Sequence, residues 1–190
     1  SGLLVRRLGG KSVYPYQPKG LWTELNNRPG YSRQYPQGQG EDLYRRSLYT
    51  FWKRTVPSPM LKTLDAPERE FCTLQRSRTN TPLQSLLLLN GPQFIEAARQ
   101  MAGRVVQEGG DSVEARVVFS FRLATGRRPT KEEATLLASV YQSELSRFRG
   151  DEAAARKLLQ VGEARQVSQL DVAEQAAWTS VTRMLLNLDE

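Results

Sequence analysis

A chain of 190 residues with 39% hydrophobic and 25% charged side chains has enough apolar surface to bury a core and lies outside the low-hydrophobicity regime of disorder. It holds no histidine and a single cysteine, Cys72, which excludes a Ser-His-Asp or Cys-His arrangement, an internal disulfide, a multi-cysteine metal site and C-x-x-C-H haem attachment within this chain. The net charge is +7, and the whole surplus lies in residues 1–80, which carry 14 basic and 6 acidic side chains against 13 and 14 in residues 81–190. Such an asymmetry marks either contact with an acidic partner (nucleic acid, anionic polysaccharide, an acidic protein surface) or a solvated basic face.

Residues 1–40 are rich in Gly, Pro, Tyr and Gln and lack helical periodicity, apart from a turn at Leu21 to Asn26. They predict an extended arm whose aromatics, Tyr14, Tyr16, Trp22, Tyr31 and Tyr35, either glue it down or, with Arg28 and Arg33 nearby, stack on sugars or unpaired bases. From Glu41 the recurrence of Tyr44, Leu48, Phe51, Trp52 and Thr55 predicts a helix, stopped by Pro57 and Pro59. Thr81, Pro82 and Gln84 have the layout of a helix start, leading into a short buried helix over Leu83 to Leu89. Asn90 and Gly91 break it. Pro92 opens the next helix, with Phe94, Ile95, Ala98, Met101, Ala102, Val105 and Val106 on one stripe.

Asp111 with Glu114 predicts the start of a further helix that ends at Gly126, and Thr130 with Glu133 forms a capping box for one carrying Leu137, Tyr141, Leu145 and Phe148. Asp151 to Gln160 is a short alanine-rich helix, and Asp171 with Glu174 opens the last, with Ala177, Trp178, Val181, Leu185 and Leu188 on its apolar face. The expectation is an all-α globular domain of about six helices, one domain over 1–190, with the arm (1–40) packed against a helical body (41–190). No apolar run approaches the roughly 20 residues that span a bilayer, the longest being Leu86 to Leu89. SGLLVRRLGG is too short and too charged for a signal peptide, so targeting information is expected outside this fragment.

The densest polar motif is Arg76, Ser77, Arg78, Thr79, Asn80 and Thr81. Two guanidinium groups beside a helix N-terminus suit an anionic group, which makes Arg76, Arg78, Thr79, Asn80 and Thr81 the anion-binding candidates. The competing reading pairs the arginines internally with Asp65, Glu68 or Glu70. Those carboxylates lack the spacing of a calcium loop, and no metal ligand set or catalytic residue stands out. Cys72 is expected as a small buried apolar residue, and Arg127 with Arg128 as a solvated turn.

GGKSVYPYQPKGLW, GEDLYRRSLYTFWKRTVPSPM, DAPEREFCTLQRSRTNTPLQSLLLLNGPQF, FRLATGRRPT and AAWTSVTRMLLNLDE, in this order, resemble the planctomycete-type C-terminal module called domain of unknown function 1553. The resemblance implies a fragment of a large exported protein that carries a cytochrome c-like haem domain elsewhere, hence an extracytoplasmic location with haem c outside this fragment. It transfers no catalytic residue. The function expected is a noncatalytic accessory or scaffolding domain whose partners are the preceding domains of its parent chain. The alternative is a binding module for acidic, sulfated polysaccharide. Nucleic acid is disfavoured, since no reading motif accompanies the charge.

Overall fold

A computed structural model describes residues 1–25, 33–68, 70–165 and 171–188. Their regular structure is helical, in the order α1 (Leu21–Leu25), α2 (Pro59–Thr63), α3 (Pro82–Asn90), α4 (Pro92–Glu108), α5 (Val113–Thr125), α6 (Lys131–Gly150), α7 (Glu152–Leu159) and α8 (Val172–Leu185). Two 3-10 turns lie at Gly40–Tyr44 and Ser47–Tyr49, and β pairing among the described residues is confined to isolated bridges. The chain divides into two compact units, Leu4–Leu87 and Ser1–Leu3 with Leu88–Glu190, and the division falls within α3.

The second unit is a helix bundle around α8, which lies against α4, α6 and α7. Trp178, Val181 and Leu185 recur on one face of α8 and are buried, and Trp178 stacks on Tyr141 of α6 with ring centroids 4.5 Å apart. Phe121, Phe148, Val105 and Val117 belong to the same core, each contributing about 1.5–3 kcal/mol by leaving water. Local signals set the helix ends. The Thr130 hydroxyl accepts from the Glu133 N–H while the Glu133 carboxylate accepts from the Thr130 N–H, and Asp151 and Asp171 accept from Ala154 and Glu174. Gly126 closes α5 in the left-handed region that a side chain would disfavour. Two details differ from the sequence expectation. Ser112, not Asp111, caps α5, because its hydroxyl reaches the Ala115 N–H; and Leu188 lies beyond the end of α8, exposed.

The loop after α7 is tied down from within. Glu96 and Arg99, one turn apart on α4, are both buried and 3.6 Å from each other. Arg99 donates to the Ala164 carbonyl at 2.8 Å, and the Ala164 N–H donates to Glu96. Gly162 passes so close that a Cβ there would overlap the Glu96 carboxyl, and its φ of +86° already calls for glycine.

The Leu4–Leu87 unit is built mostly from loops that exchange backbone hydrogen bonds. Val5 donates to Tyr44, Val13 to Tyr49, Phe51 to Val13 and Gly38 to Tyr14, at 2.8 to 3.0 Å. The helix expected from Glu41 is therefore replaced by the two 3-10 turns and extended backbone. Arg45 is the reason: its backbone is extended, and its buried guanidinium donates to the carbonyls of Arg7 and Gly9 while lying 4.0 Å over the Tyr49 ring. Pairing with a distant segment satisfies the groups that a helix would have satisfied locally, and overrides the periodicity.

The leucine run is a second correction. α3 forms where expected, but Leu83 and Leu86 are exposed, and the residue turned inward is Gln84.

Candidate functional site

α2 is a single helical turn that starts at a proline and ends before Asp65, which takes a left-handed φ of 58°. A non-glycine residue seldom holds that conformation, though Asp tolerates it better than most. Here the Asp65 carboxylate accepts from the Thr79 N–H at 2.8 Å, from the Thr79 hydroxyl at 2.8 Å and from the Gln84 amide at 3.0 Å. The same Gln84 amide nitrogen reaches the Thr63 carbonyl at 2.9 Å. Gln84 also completes the start of α3: its side-chain oxygen accepts from the Thr81 N–H, and its own N–H donates to the Thr81 hydroxyl. Hydrogen bonds from the Thr79 backbone, then from its side chain, hold Asp65 below the usual carboxylate range, with smaller help from Gln84 and the Arg76 charge against a desolvation cost.

This knot fastens a loop at its two ends, Asp65 and Thr79. Between them, every described residue from Pro67 to Arg78 is exposed. Phe71 and Leu74 have relative exposures of 78% and 106%, so two large apolar side chains stand in solvent. Arg76 and Arg78 form no ion pair among the described residues. Lys62, Asp65, Glu68, Phe71 and Arg76 line an open cleft of about 350 Å³ at the base of the loop.

The anion-binding candidates are thus divided. Thr79 and Thr81 are spent on internal hydrogen bonds, and Asn80 is exposed with a contact of its own. Arg76 and Arg78 project outward. The internal arrangement also differs from the expected salt bridges, because the partner of Asp65 is a backbone N–H and two neutral side chains rather than an arginine. Cys72, expected to be buried, is an exposed free thiol, since nothing in this loop folds back to cover it. Sequence reasoning names Asp65 only as a salt-bridge candidate and Gln84 only as part of a helix start, and passes over Phe71 and Leu74. Phe71 and Leu74 carried a signal nonetheless, as apolar residues in a polar stretch with no helical or strand period to place them in a core.

The arm aromatics pack on one another. Tyr14 stacks on Phe51 at 5.0 Å, and meets Tyr35 and Trp22 edge-on at 5.4 and 6.2 Å. Trp22 is buried, with the Lys53 ammonium 4.5 Å over its ring, and the Tyr35 hydroxyl donates to the Pro15 carbonyl at 2.6 Å. Burial drives the Tyr35 hydroxyl strongly upward in pKa. Tyr16 is half-buried and makes contacts of its own, and Tyr31 lies outside the described residues. Tyr14, Trp22 and Tyr35 thus pack on one another, while Trp22 and Tyr35 also line a cavity of about 280 Å³.

Fold and loop define an all-helical protein module with a braced, solvent-exposed loop. Residues 1–141 match the family described as PSD1, protein of unknown function (DUF1553), and the chain belongs to that family. No curated protein and no solved structure matches it. No helix among the described residues is long and apolar enough to cross a membrane.

Proposed function

We propose that this chain is a noncatalytic docking module, an accessory or scaffolding part of a large exported, haem-containing protein, and that it engages a neighbouring domain through the loop between Asp65 and Thr79. One observation carries the reading: the loop is fixed at both ends while Phe71, Leu74, Arg76 and Arg78 are presented to solvent. Aromatic and arginine side chains are the residues that most often anchor an interface, and a pre-fastened loop loses little conformational entropy on binding. The extracytoplasmic location and the haem c of the parent rest on the resemblance of the sequence motifs.

The test is association of the isolated chain with the remainder of its parent protein, measured for the wild type and for Phe71→Ser/Leu74→Ser. The reading expects the double variant to fold normally and to lose association. Equal binding by both sinks it.

A second reading has a specific observation behind it. Arg76 and Arg78, exposed and without ion pairs among the described residues, can fork onto the sulfate groups of an acidic polysaccharide. Retention on a sulfated glycan column at low salt, lost in Arg76→Ala/Arg78→Ala, supports this use of the loop. Passage of the wild type without retention removes it.

A further inference from the structure

In the helical unit, α6 and α8, with Leu89 of α3, line a pocket of about 210 Å³. Helical spacing builds it: Glu144 and Arg147 lie one turn apart on α6, and Ser180, Arg183 and Met184 share a face of α8. Val140 of α6 adds apolar lining to that of Met184.

The charges do not balance. Arg147 has a partner, with its guanidinium 3.3 Å from Glu144. Arg183 is half-buried; its Nε is inaccessible to solvent and has no acceptor, and the guanidinium forms no ion pair among the described residues. Burial pushes the Arg183 pKa down, the Glu144 charge opposes this and the Arg147 charge adds to it. A partly desolvated cation beside another cation is costly unless a counter-ion joins it. Ser180 adds an open valence: Thr179 and Thr182 bond back to helix carbonyls, whereas the Ser180 hydroxyl has no partner among the described residues.

The missing ligand can be specified by chemistry. Two guanidinium groups and one carboxylate leave a single net positive charge, which matches a monoanion, while Glu144 repels a second negative charge. A planar guanidinium fork complements a carboxylate, and Val140 with Met184 offers apolar surface to whatever the carboxylate carries. We propose that this pocket binds a small organic monocarboxylate with a short hydrocarbon body, its carboxylate on the Arg183 guanidinium and the Ser180 hydroxyl and its hydrocarbon on Val140 and Met184.

Titration of the 190-residue chain with sodium hexanoate at constant ionic strength tests this, followed through the Arg183 Nε–H resonance in the wild type and through the Met184 methyl resonance in the wild type and every variant. Hexanol and sodium sulfate serve as neutral and dianionic controls. Saturable movement of those resonances is expected with hexanoate and not with either control. Arg183→Gln is expected to weaken hexanoate binding about tenfold, the loss of one charge-assisted bidentate contact. Glu144→Gln is expected to tighten binding and to admit sulfate, a change that a merely structural carboxylate would not produce. No saturable response to hexanoate, an equal response to hexanol or sulfate, or unchanged affinity in Arg183→Gln overturns the proposal. If Arg183→Gln does not fold, Glu144→Gln decides alone: tighter binding upholds the site, and unaltered or weaker binding ends it.

Discussion

Two loops in this molecule are held by the same device in opposite surroundings. In the helical unit, the Ala164 N–H donates to Glu96, which is fully buried beside Arg99. In the Leu4–Leu87 unit, the Thr79 N–H donates to Asp65, which lies near the surface with neutral partners. The buried carboxylate draws its loop inward until Gly162 has no room for a side chain. The surface carboxylate fixes only the ends of its loop, and the described residues from Pro67 to Arg78 face water. The first arrangement belongs to stability; the second leaves Phe71, Leu74, Arg76 and Arg78 available for contact.

The contrast is sharpest under mutation. Removing one partner of a buried ion pair leaves the other charge stranded, so Arg99→Ala or Glu96→Ala is expected to cost about 3–5 kcal/mol in urea unfolding. Gly162→Ala is expected to destabilise the same unit, from the clash with Glu96 and the positive φ together. A cost below about 1 kcal/mol for either kind of change would show that the inner tether is dispensable.

Asp65→Ala should act locally. Faster amide exchange at Thr79 and easier proteolysis between residues 67 and 78 are expected, with the unfolding of the helical unit unchanged. Because the Asp65 pKa is depressed in the fold, its contribution is complete above the ordinary aspartate range and fades as the pH falls below it. Loop protection should therefore weaken on acidification in the wild type and be pH-independent in Asp65→Asn.

A smaller acid effect is expected in the α6 cap. The Arg127 guanidinium and the Thr130 N–H draw the Glu133 pKa down to about 2 from 4.5, so the stability it lends is present above 4.5 and is lost as the pH falls toward about 2. Glu133→Gln should flatten the dependence of the unfolding midpoint across that window. The least effect on stability is expected from Phe71→Ser/Leu74→Ser, within about 0.5 kcal/mol, since neither side chain is covered. A large loss there would mean that both residues pack inside the fold.

What could be read from sequence follows from how far apart the interacting groups lie. Thr130 with Glu133, Thr81 with Gln84, Asp151 and Asp171 act on neighbours three residues away, so their helix starts were legible. The segment from Glu41 was misread because its hydrogen bonds go to residues 5 to 13, and periodicity carries no record of so distant a pairing. The candidate loop was legible only in part. Arg76 and Arg78 stand out by composition, whereas the knot joins Asp65 to a residue 14 positions on, and Gln84 serves both the knot and the cap of α3. Cys72 was placed in a core because free cysteines usually are, a tendency that yields where a loop is fastened at its ends and covered by nothing.

That exposed thiol offers the most direct test of the docking account. Labelling of Cys72 by a thiol reagent can be timed in the isolated chain and in the longer parent protein proposed above. Rapid labelling of the isolated chain and marked protection in the longer protein are predicted, with protection lost in Phe71→Ser/Leu74→Ser. Equal labelling rates in the two settings would contradict the claim that this loop is where the module meets its partner.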